Sequence, residues 1–468
     1  MTTLTLADVA TGTGGRLHHV VDPSKRATSF GTDSRTVVPG ELFVAVVGEN
    51  HDAHHFAAQA VRAGAVAVLA DRELDVPCVV VDDTVLALGR LARWVVDALP
   101  DLLVVGVTGS SGKTSTKDLL AAVLAELGPV VAPQGSFNTE VGVPLTALTV
   151  DASTRVLVTE MGARGIGHIA YLCGVTPPRV GVILNVGSAH VAEFGSRENI
   201  ARAKGELAEA LPGAEHGGVA VLNADDPLVA EMAVRTTASV VTYGRAADAD
   251  VRADDEQLDD EGRATFVLTT PYGRAPVRLQ LVGAHHVSNA LAVAGAALAL
   301  GIPLDAVAHR LSGAAPASRW RMEVTTTDDG VTVVNDAYNA NPESMVAALD
   351  ALVALGRGSG ARPPRPTWAV LGEMRELGDA AGAAHEQVGR VAAQRGVTNV
   401  VVVGAAASGV ATGASEAGGG TVVTAVPDVD AAVSLLRERL VPGDVVLVKA
   451  SRAAGLERVA LALTEVTT

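Results

Sequence analysis

The segment Gly106-Val107-Thr108-Gly109-Ser110-Ser111-Gly112-Lys113-Thr114-Ser115 constrains this chain more than any other. It follows an apolar run at 102–107. It opens a helical stretch, 113–127, in which Leu119, Leu120, Val123, Leu124 and Leu127 share one face. A glycine-rich turn between a buried strand and a helix N-terminus aims backbone N–H groups and the helix dipole at one point, which suits a polyphosphate. Thr108, Gly109, Ser110, Ser111, Gly112 and Ser115 are the expected cradle. Lys113 is expected at the β- and γ-phosphates, and the Thr114 hydroxyl on Mg²⁺. Five residues, not the usual four, separate Gly106 from Gly112. Such a loop predicts an α/β nucleotide-binding fold. It does not name a reaction, because kinases, GTPases and motor ATPases share it.

Around this loop the chain divides into three units, as its length of 468 residues suggests. Residues 1–99 carry short apolar runs at 42–47, 65–69 and 77–81, then an amphipathic helix up to Leu99. They predict a small N-terminal α/β domain, closed off by Pro100-Asp101. Residues 100–313 add uninterrupted apolar runs at 155–161, 180–186 and 219–223, the pattern of a parallel sheet covered on both faces. Within them, 249–282 alternates apolar and polar residues around acidic turns and reads as an antiparallel insertion. Residues 314–468 alternate strands (331–334, 368–371, 400–403, 422–426, 445–448) with helices, one of them started by Asn341-Pro342. This predicts a Rossmann-like, doubly wound domain. Stretches 356–366 and 411–420 read as exposed loops.

Composition removes several classes. With 36 basic and 52 acidic residues the net charge is −16, and aromatic residues are 3% of the chain. Neither a general nucleic-acid face nor a base-stacking platform is expected. Two distant cysteines, Cys78 and Cys173, exclude a disulfide scaffold and a Cys-rich zinc site. The N-terminus lacks a basic start and an apolar core, and the most apolar stretch, 290–302, is too short to span a bilayer. A cytoplasmic protein with no membrane insertion is expected, as a monomer. Only five of the basic residues are lysines: Lys25, Lys113, Lys117, Lys204 and Lys449. Where arginine is the default cation, a retained lysine raises the question of whether a primary amine is needed.

Further candidates sit at strand ends. Glu160 closes one apolar run and suits Mg²⁺. His190 follows another and fits capping or proton transfer as readily as metal binding. Lys204 lies in a helical stretch, where a lone lysine is ordinarily a solvated surface residue, and spacing alone does not promote it.

Taken together, Thr108–Thr114, Glu160-Met161-Gly162-Ala163, His190 and Ala203-Lys204 resemble the Mur ligases of peptidoglycan synthesis. Thr32-Asp33-Ser34-Arg35, Phe137-Asn138-Thr139-Glu140, Asn335-Asp336-Ala337-Tyr338-Asn339, Leu371-Gly372-Glu373-Met374 and Lys449-Ala450-Ser451-Arg452 carry the likeness to the branch that adds D-alanyl-D-alanine. The resemblance implies an ADP-forming amide ligase. ATP would phosphorylate the carboxylate of a UDP-MurNAc tripeptide, and the dipeptide amine would attack the acyl phosphate.

It further implies two Mg²⁺ ions near Thr114, Glu160, His190 and a carbamylated Lys204. It implies nucleotide contacts from His285, Asn289, Arg321 and Asp336. Ser34 and Arg35 match the uridine-diphosphate site, Asn138 and Thr139 the muramoyl-peptide side, and Asn339, Ser451 and Arg452 the dipeptide side. The family commonly reads Gly-x-His-Asn where this chain has Gly283-Ala284-His285-His286, Asp-Gly-His at Asp52-Ala53-His54, and Thr-Asn at Ser110-Ser111. The alternatives are another ADP-forming ligase of the superfamily, a P-loop kinase or GTPase, and a non-catalytic nucleotide-binding protein.

Overall fold

The computed structural model describes residues 2–48, 51–133, 135–188, 191–358 and 363–465. Each of the three units is built on its own main sheet, with helices packed against it. The first has strand order Arg16–His18, Cys78–Val80, Ala67–Ala70, Glu41–Val44, Ser29–Gly31, parallel except for the first pair. The three apolar runs read from the sequence are its inner strands. The outer strands are three residues long, too short to show a period.

The central sheet has nine strands. In spatial order they are Gly273–Val282, Arg263–Thr270, Val251–Leu258, Ser239–Gly244, Val219–Asn223, Val180–Ile183, Leu103–Thr108, Val156–Glu160 and Val130–Val131. Residues 249–282 do form antiparallel strands, but they extend the edge of this same sheet. From Leu103–Thr108 the chain runs out to the Val130–Val131 edge and returns through Val156–Glu160. It then crosses past its starting strand to Val180–Ile183. That crossing opens a crevice at the carboxyl ends of these strands, the place where open α/β sheets take ligands. The alanine-rich helix His285–Ala299 backs the sheet. From Val287 to Leu298 every residue but Ser288 is buried, so it is an all-round core helix.

The third sheet runs Glu323–Thr326, Thr332–Asn335, Val445–Lys449, Thr367–Leu371, Asn399–Val403, Val422–Val426, with only the first pair antiparallel. The last strand of the chain returns to the middle, which brings Lys449 beside Asp336 and Gly372. Two local expectations are corrected. Residues 411–420 are not an exposed loop, since Ser408–Ala417 is a helix that buries Val410, Gly413 and Ala414 against a neighbouring helix. Tertiary packing there overrides the weak helix propensity of glycine and serine. Leu127 leaves the shared face of its helix because the α-helix ends at Leu124 in a 3₁₀ turn.

The first and central units share one apolar core. Leu88, Leu91 and Val95 of the helix Thr84–Asp97 pack with Ala147, Leu148 and Leu157 of the central unit. The third unit meets the centre through polar contacts at the phosphate loop and through Val282 of the central sheet, which is buried in the third unit's apolar core.

Candidate active site

The phosphate loop forms as its sequence dictates. Gly112 takes φ +81°, and a Cβ there would lie 2.7 Å from Asn289 Oδ1, so only glycine fits. No side chain caps the helix Lys113–Leu124, which leaves its first N–H groups free for an anion. Asn185 braces the loop. Its Oδ1 accepts from the N–H groups of Ser110 and Ser111, each at 3.0 Å, and its Nδ2 donates to Ser111 O at 3.3 Å. Thr108 is fully buried and its hydroxyl donates to Met161 O, so it supports the loop from below.

Thr114 and Glu160 meet. The Thr114 hydroxyl donates to Glu160 Oε2 at 2.9 Å, and Asn138 Nδ2 donates to Glu160 Oε1 at 2.7 Å. Ser136 Oγ lies 3.0 Å from Thr114 Oγ1. Glu160 is 1% exposed. Arg321, from the third unit, donates to both Thr114 Oγ1 (3.2 Å) and Ser136 Oγ (3.1 Å), and its guanidinium lies over the Tyr338 ring at 4.2 Å. Asn341 Nδ2 donates to Ser110 O, and Glu343 accepts from Ser188 N at 2.7 Å. The third unit is thus closed onto the loop.

Lys113 Nζ donates to Gly109 O at 2.7 Å, folded back over its own loop. Burial pulls its ammonium below the ordinary lysine range; Glu160 opposes this and Arg321 adds to it. Lys204 is 5% exposed, contrary to the ordinary fate of a helical lysine. Burial holds it well below that range, and the charge of Lys113 pushes the same way. Its Nζ has no hydrogen-bond partner among the described residues. Lys449 is buried too, donating to Asp336 Oδ2 at 2.6 Å and Asn339 O at 2.9 Å. Asp336 Oδ1 accepts from Met322 N, so this carboxylate is fully engaged within the third unit.

Two cavities adjoin here. The first, about 380 Å³, is lined by residues 110–115, Asn138, Glu160, His285, Asn289, Arg321, Asp336, Asn339 and Lys449. The second, about 400 Å³, is lined by Thr139, Lys204, Ser451 and Arg452, and shares Ser110, Lys113, Asn138 and Asn339 with the first. The expected site residues therefore converge, with exceptions. Thr108 and Gly109 lie beneath the loop and line neither cavity. Ser34 and Arg35 also line neither; the Arg35 side chain is 83% exposed and pairs with its neighbour Asp33. His190 lies outside the described residues. Asp52 and His54 hold the first unit together, with His54 buried between Asp52 and Asp71.

Asn185, Ser136, Tyr338, Asn341 and Glu343 were not singled out as site residues. Tyr338 and Asn341 fall in the motif 335–342 that carries the family resemblance, and Asn341 was also legible as a helix cap, which it is. The others leave no spacing signal, because each acts on a residue far away in the chain.

His285 and His286 stack at 4.1 Å, and the His286 Nδ1 faces Asn289 Nδ2 at 3.3 Å. Buried His285 Nδ1 and His286 Nε2 have no hydrogen-bond partner among the described residues. Burial holds His285 down at about 4. Between pH 6.5 and 4 the unfolded chain therefore binds more protons here than the folded one, so stability falls as pH drops through that window. His285→Gln is expected to flatten this acid limb by as much as about 1.4 kcal/mol per pH unit, as urea melts at pH 7, 5.5 and 4.5 would show. An unchanged slope would contradict it.

Comparison with known proteins agrees with this geometry. Family models match in order along the chain: Mur ligase family, catalytic domain, at 26–94; Mur ligase middle domain at 107–297; and Mur ligase, glutamate ligase domain, at 320–452. The UDP-N-acetylmuramoyl-tripeptide–D-alanyl-D-alanine ligase of Mycobacterium bovis is 46% identical over 99% of this chain and 98% of its own. A crystal structure of MurF from Acinetobacter baumannii superposes with a TM-score of 0.87 at 32% identity, covering 99% of both chains. The MurF ligase of Thermotoga maritima in complex with ADP gives a TM-score of 0.79 at 32% identity over 94% of this chain and 97% of that one. The chain belongs to the Mur ligase family.

Proposed function

We propose that this protein is an ATP-dependent, ADP-forming ligase that joins D-alanyl-D-alanine to the UDP-MurNAc tripeptide in peptidoglycan precursor synthesis. The observation that carries this reading is the shared wall of the two cavities. Ser110, Lys113, Asn138 and Asn339 face both, so a nucleotide held by the loop and a carboxylate held next door meet at Lys113. The relatives' names supply the substrates. Residues 1–99, 100–313 and 314–468 are taken as the three domains, and the matched family segments fall within them. The enzyme acts as a cytoplasmic monomer, where ATP and UDP-sugars are available. No helix among the described residues is long and apolar enough to cross a membrane.

The reaction joins two anions before it joins an amine. A tripeptide carboxylate oxygen attacks the γ-phosphorus, the bond to the β-phosphate oxygen breaks, and ADP leaves. The dipeptide nitrogen then attacks the acyl carbon, loses a proton, and inorganic phosphate departs. Positioning and charge neutralisation carry most of the first step. The loop N–H groups and Lys113 hold the β- and γ-phosphates, while Arg321 adds a cation from the third domain.

The oxygen donors of Thr114 and Glu160, 2.9 Å apart, fit a hard ion, and they would hold Mg²⁺. Mg²⁺, when bound, screens the triphosphate charge. Among the described residues there is no group of three or more His, Cys, Asp or Glu. A carbamate on Lys204 would add an anionic oxygen donor for a second ion.

The test is ADP release from ATP in the presence of the UDP-MurNAc tripeptide, with and without D-alanyl-D-alanine. Release that ignores both substrates overturns the reading. Asn185→Ala is expected to raise the KM for ATP about tenfold, since an unanswered buried N–H costs about 1–3 kcal/mol. The KM for the tripeptide substrate is expected to change little. Equal rises in both would contradict its role as a brace of the phosphate loop.

A further inference from the structure

The second cavity shares part of its lining with the first and has a wall of its own. Ser110, Lys113 and Asn138 also line the nucleotide cavity and mark the junction, whereas Arg375, Glu376 and Arg452 line the second cavity alone. An amine that attacks an acyl phosphate must enter at the junction. An extended dipeptide spans about 7 Å, so its carboxylate points away from the junction, to that wall.

Two arginines of the third domain wait there, and they differ in how far they are committed. Arg452 is stacked over Trp320 at 4.3 Å and paired at 2.5 Å with the buried Glu457. Arg375 bonds Glu373 Oε2 through Nε alone, at 3.0 Å. Its two terminal nitrogens donate to no partner among the described residues. A third arginine, Arg164, lies on the central domain next to Gly162, whose N–H bonds Asn138 O, the side expected for the muramoyl peptide.

The loop that carries Arg375 is held from several directions. Met374 N donates to the buried His385 Nε2 at 2.9 Å, Arg375 N to Ser451 Oγ at 2.9 Å, and Ser451 N to Glu373 O at 2.9 Å. Glu376 sits at φ +64°, a conformation a non-glycine residue keeps only when its surroundings impose it. Ser451 is therefore occupied in positioning this loop.

We infer that Arg375 binds the free carboxylate of the incoming dipeptide, and that the loop 373–376 reads the acceptor's far end. This rests on the ligase reading above. Its guanidinium offers the bidentate match that a carboxylate takes up best.

The experiment compares D-alanyl-D-alanine with its C-terminal carboxamide as acceptor, in wild type, Arg375→Ala and Arg375→Lys. Wild type is expected to prefer the free acid about 10- to 100-fold in kcat/KM. Arg375→Ala is expected to lose that preference, using both acceptors as poorly as wild type uses the amide. Arg375→Lys should fall between. The KM values for ATP and the tripeptide substrate are expected to stay put, which separates this role from a general disturbance of the site. If wild type depends on the dipeptide and Arg375→Ala keeps the full preference, this inference fails alone. If wild-type ADP release is indifferent to the dipeptide, the ligase reading fails and takes this inference with it.

Discussion

Lys113→Ala is expected to reduce ATP turnover by about 10³-fold or more, with the fold intact by circular dichroism and thermal melting. Among the described residues the side chain bonds Gly109 O alone, a contact that water can replace. Its charge, however, lies in a desolvated pocket beside Glu160 and Arg321. Removing it leaves an incoming triphosphate without its nearest compact cation, and in low dielectric that loss is large. Lys113→Arg is expected to fail nearly as badly. A planar guanidinium spreads its charge over three nitrogens and cannot act as a compact point charge. Turnover near wild type in the alanine variant, measured as ADP release, would contradict this.

Lys204→Ala is expected to lose about 10²- to 10³-fold in activity, and added formate or acetate is expected to restore part of it. The reasoning starts from an unfavourable burial. An ammonium near Lys113, with no hydrogen-bond partner among the described residues, is driven toward its neutral amine by desolvation and by like charge. A neutral amine is the form that adds CO₂, giving a carbamate and releasing a proton. The product is an anion in a pocket with a lysine neighbour, which removes the electrostatic conflict. Wild-type activity is accordingly expected to drop in CO₂-depleted buffer at limiting metal. A fully active alanine variant, with no response to carboxylates, would rule the carbamate out.

The scarcity of lysine is explained differently by the structure than by the chain. Lys117, Lys204 and Lys449 are buried, Lys113 is half-buried, and only Lys25 is exposed. Lys117 Nζ donates to Pro133 O at 2.8 Å, and so ties the helix behind the phosphate loop to the segment leading to Ser136. Lys449 fits between Asp336 and Asn339, where a compact ammonium bridges two oxygens. Nothing in the spacing of these residues reveals their burial. Helical periodicity places Lys204 on a turn, but whether that turn faces water depends on the helix His168–Val175 packed against it.

Local structure was legible because its causes are local. The strand-to-helix turn at Gly109–Gly112, the cap at Asn341-Pro342 and the apolar runs of the inner strands each rest on residues within a few positions of one another. The short edge strands and the Ser408–Ala417 helix were not legible, since their stability comes from neighbours that the sequence does not place beside them. The family motifs indicated which residue types the chemistry needs.

The sequence by itself determined a phosphate loop, three α/β units in order and a set of candidate side chains. Only the tertiary structure decided which of them act together. Thr114 finds Glu160 across 46 positions and Arg321 across 207, while Ser34 and Arg35 stay away from the central cavities. The physical reason is that hydrogen bonding along a segment follows backbone geometry, which nearby residues set. Convergence and desolvation follow instead from sheet register and from one unit packing on another, so the environment that desolvates Lys204 exists only after the chain has folded.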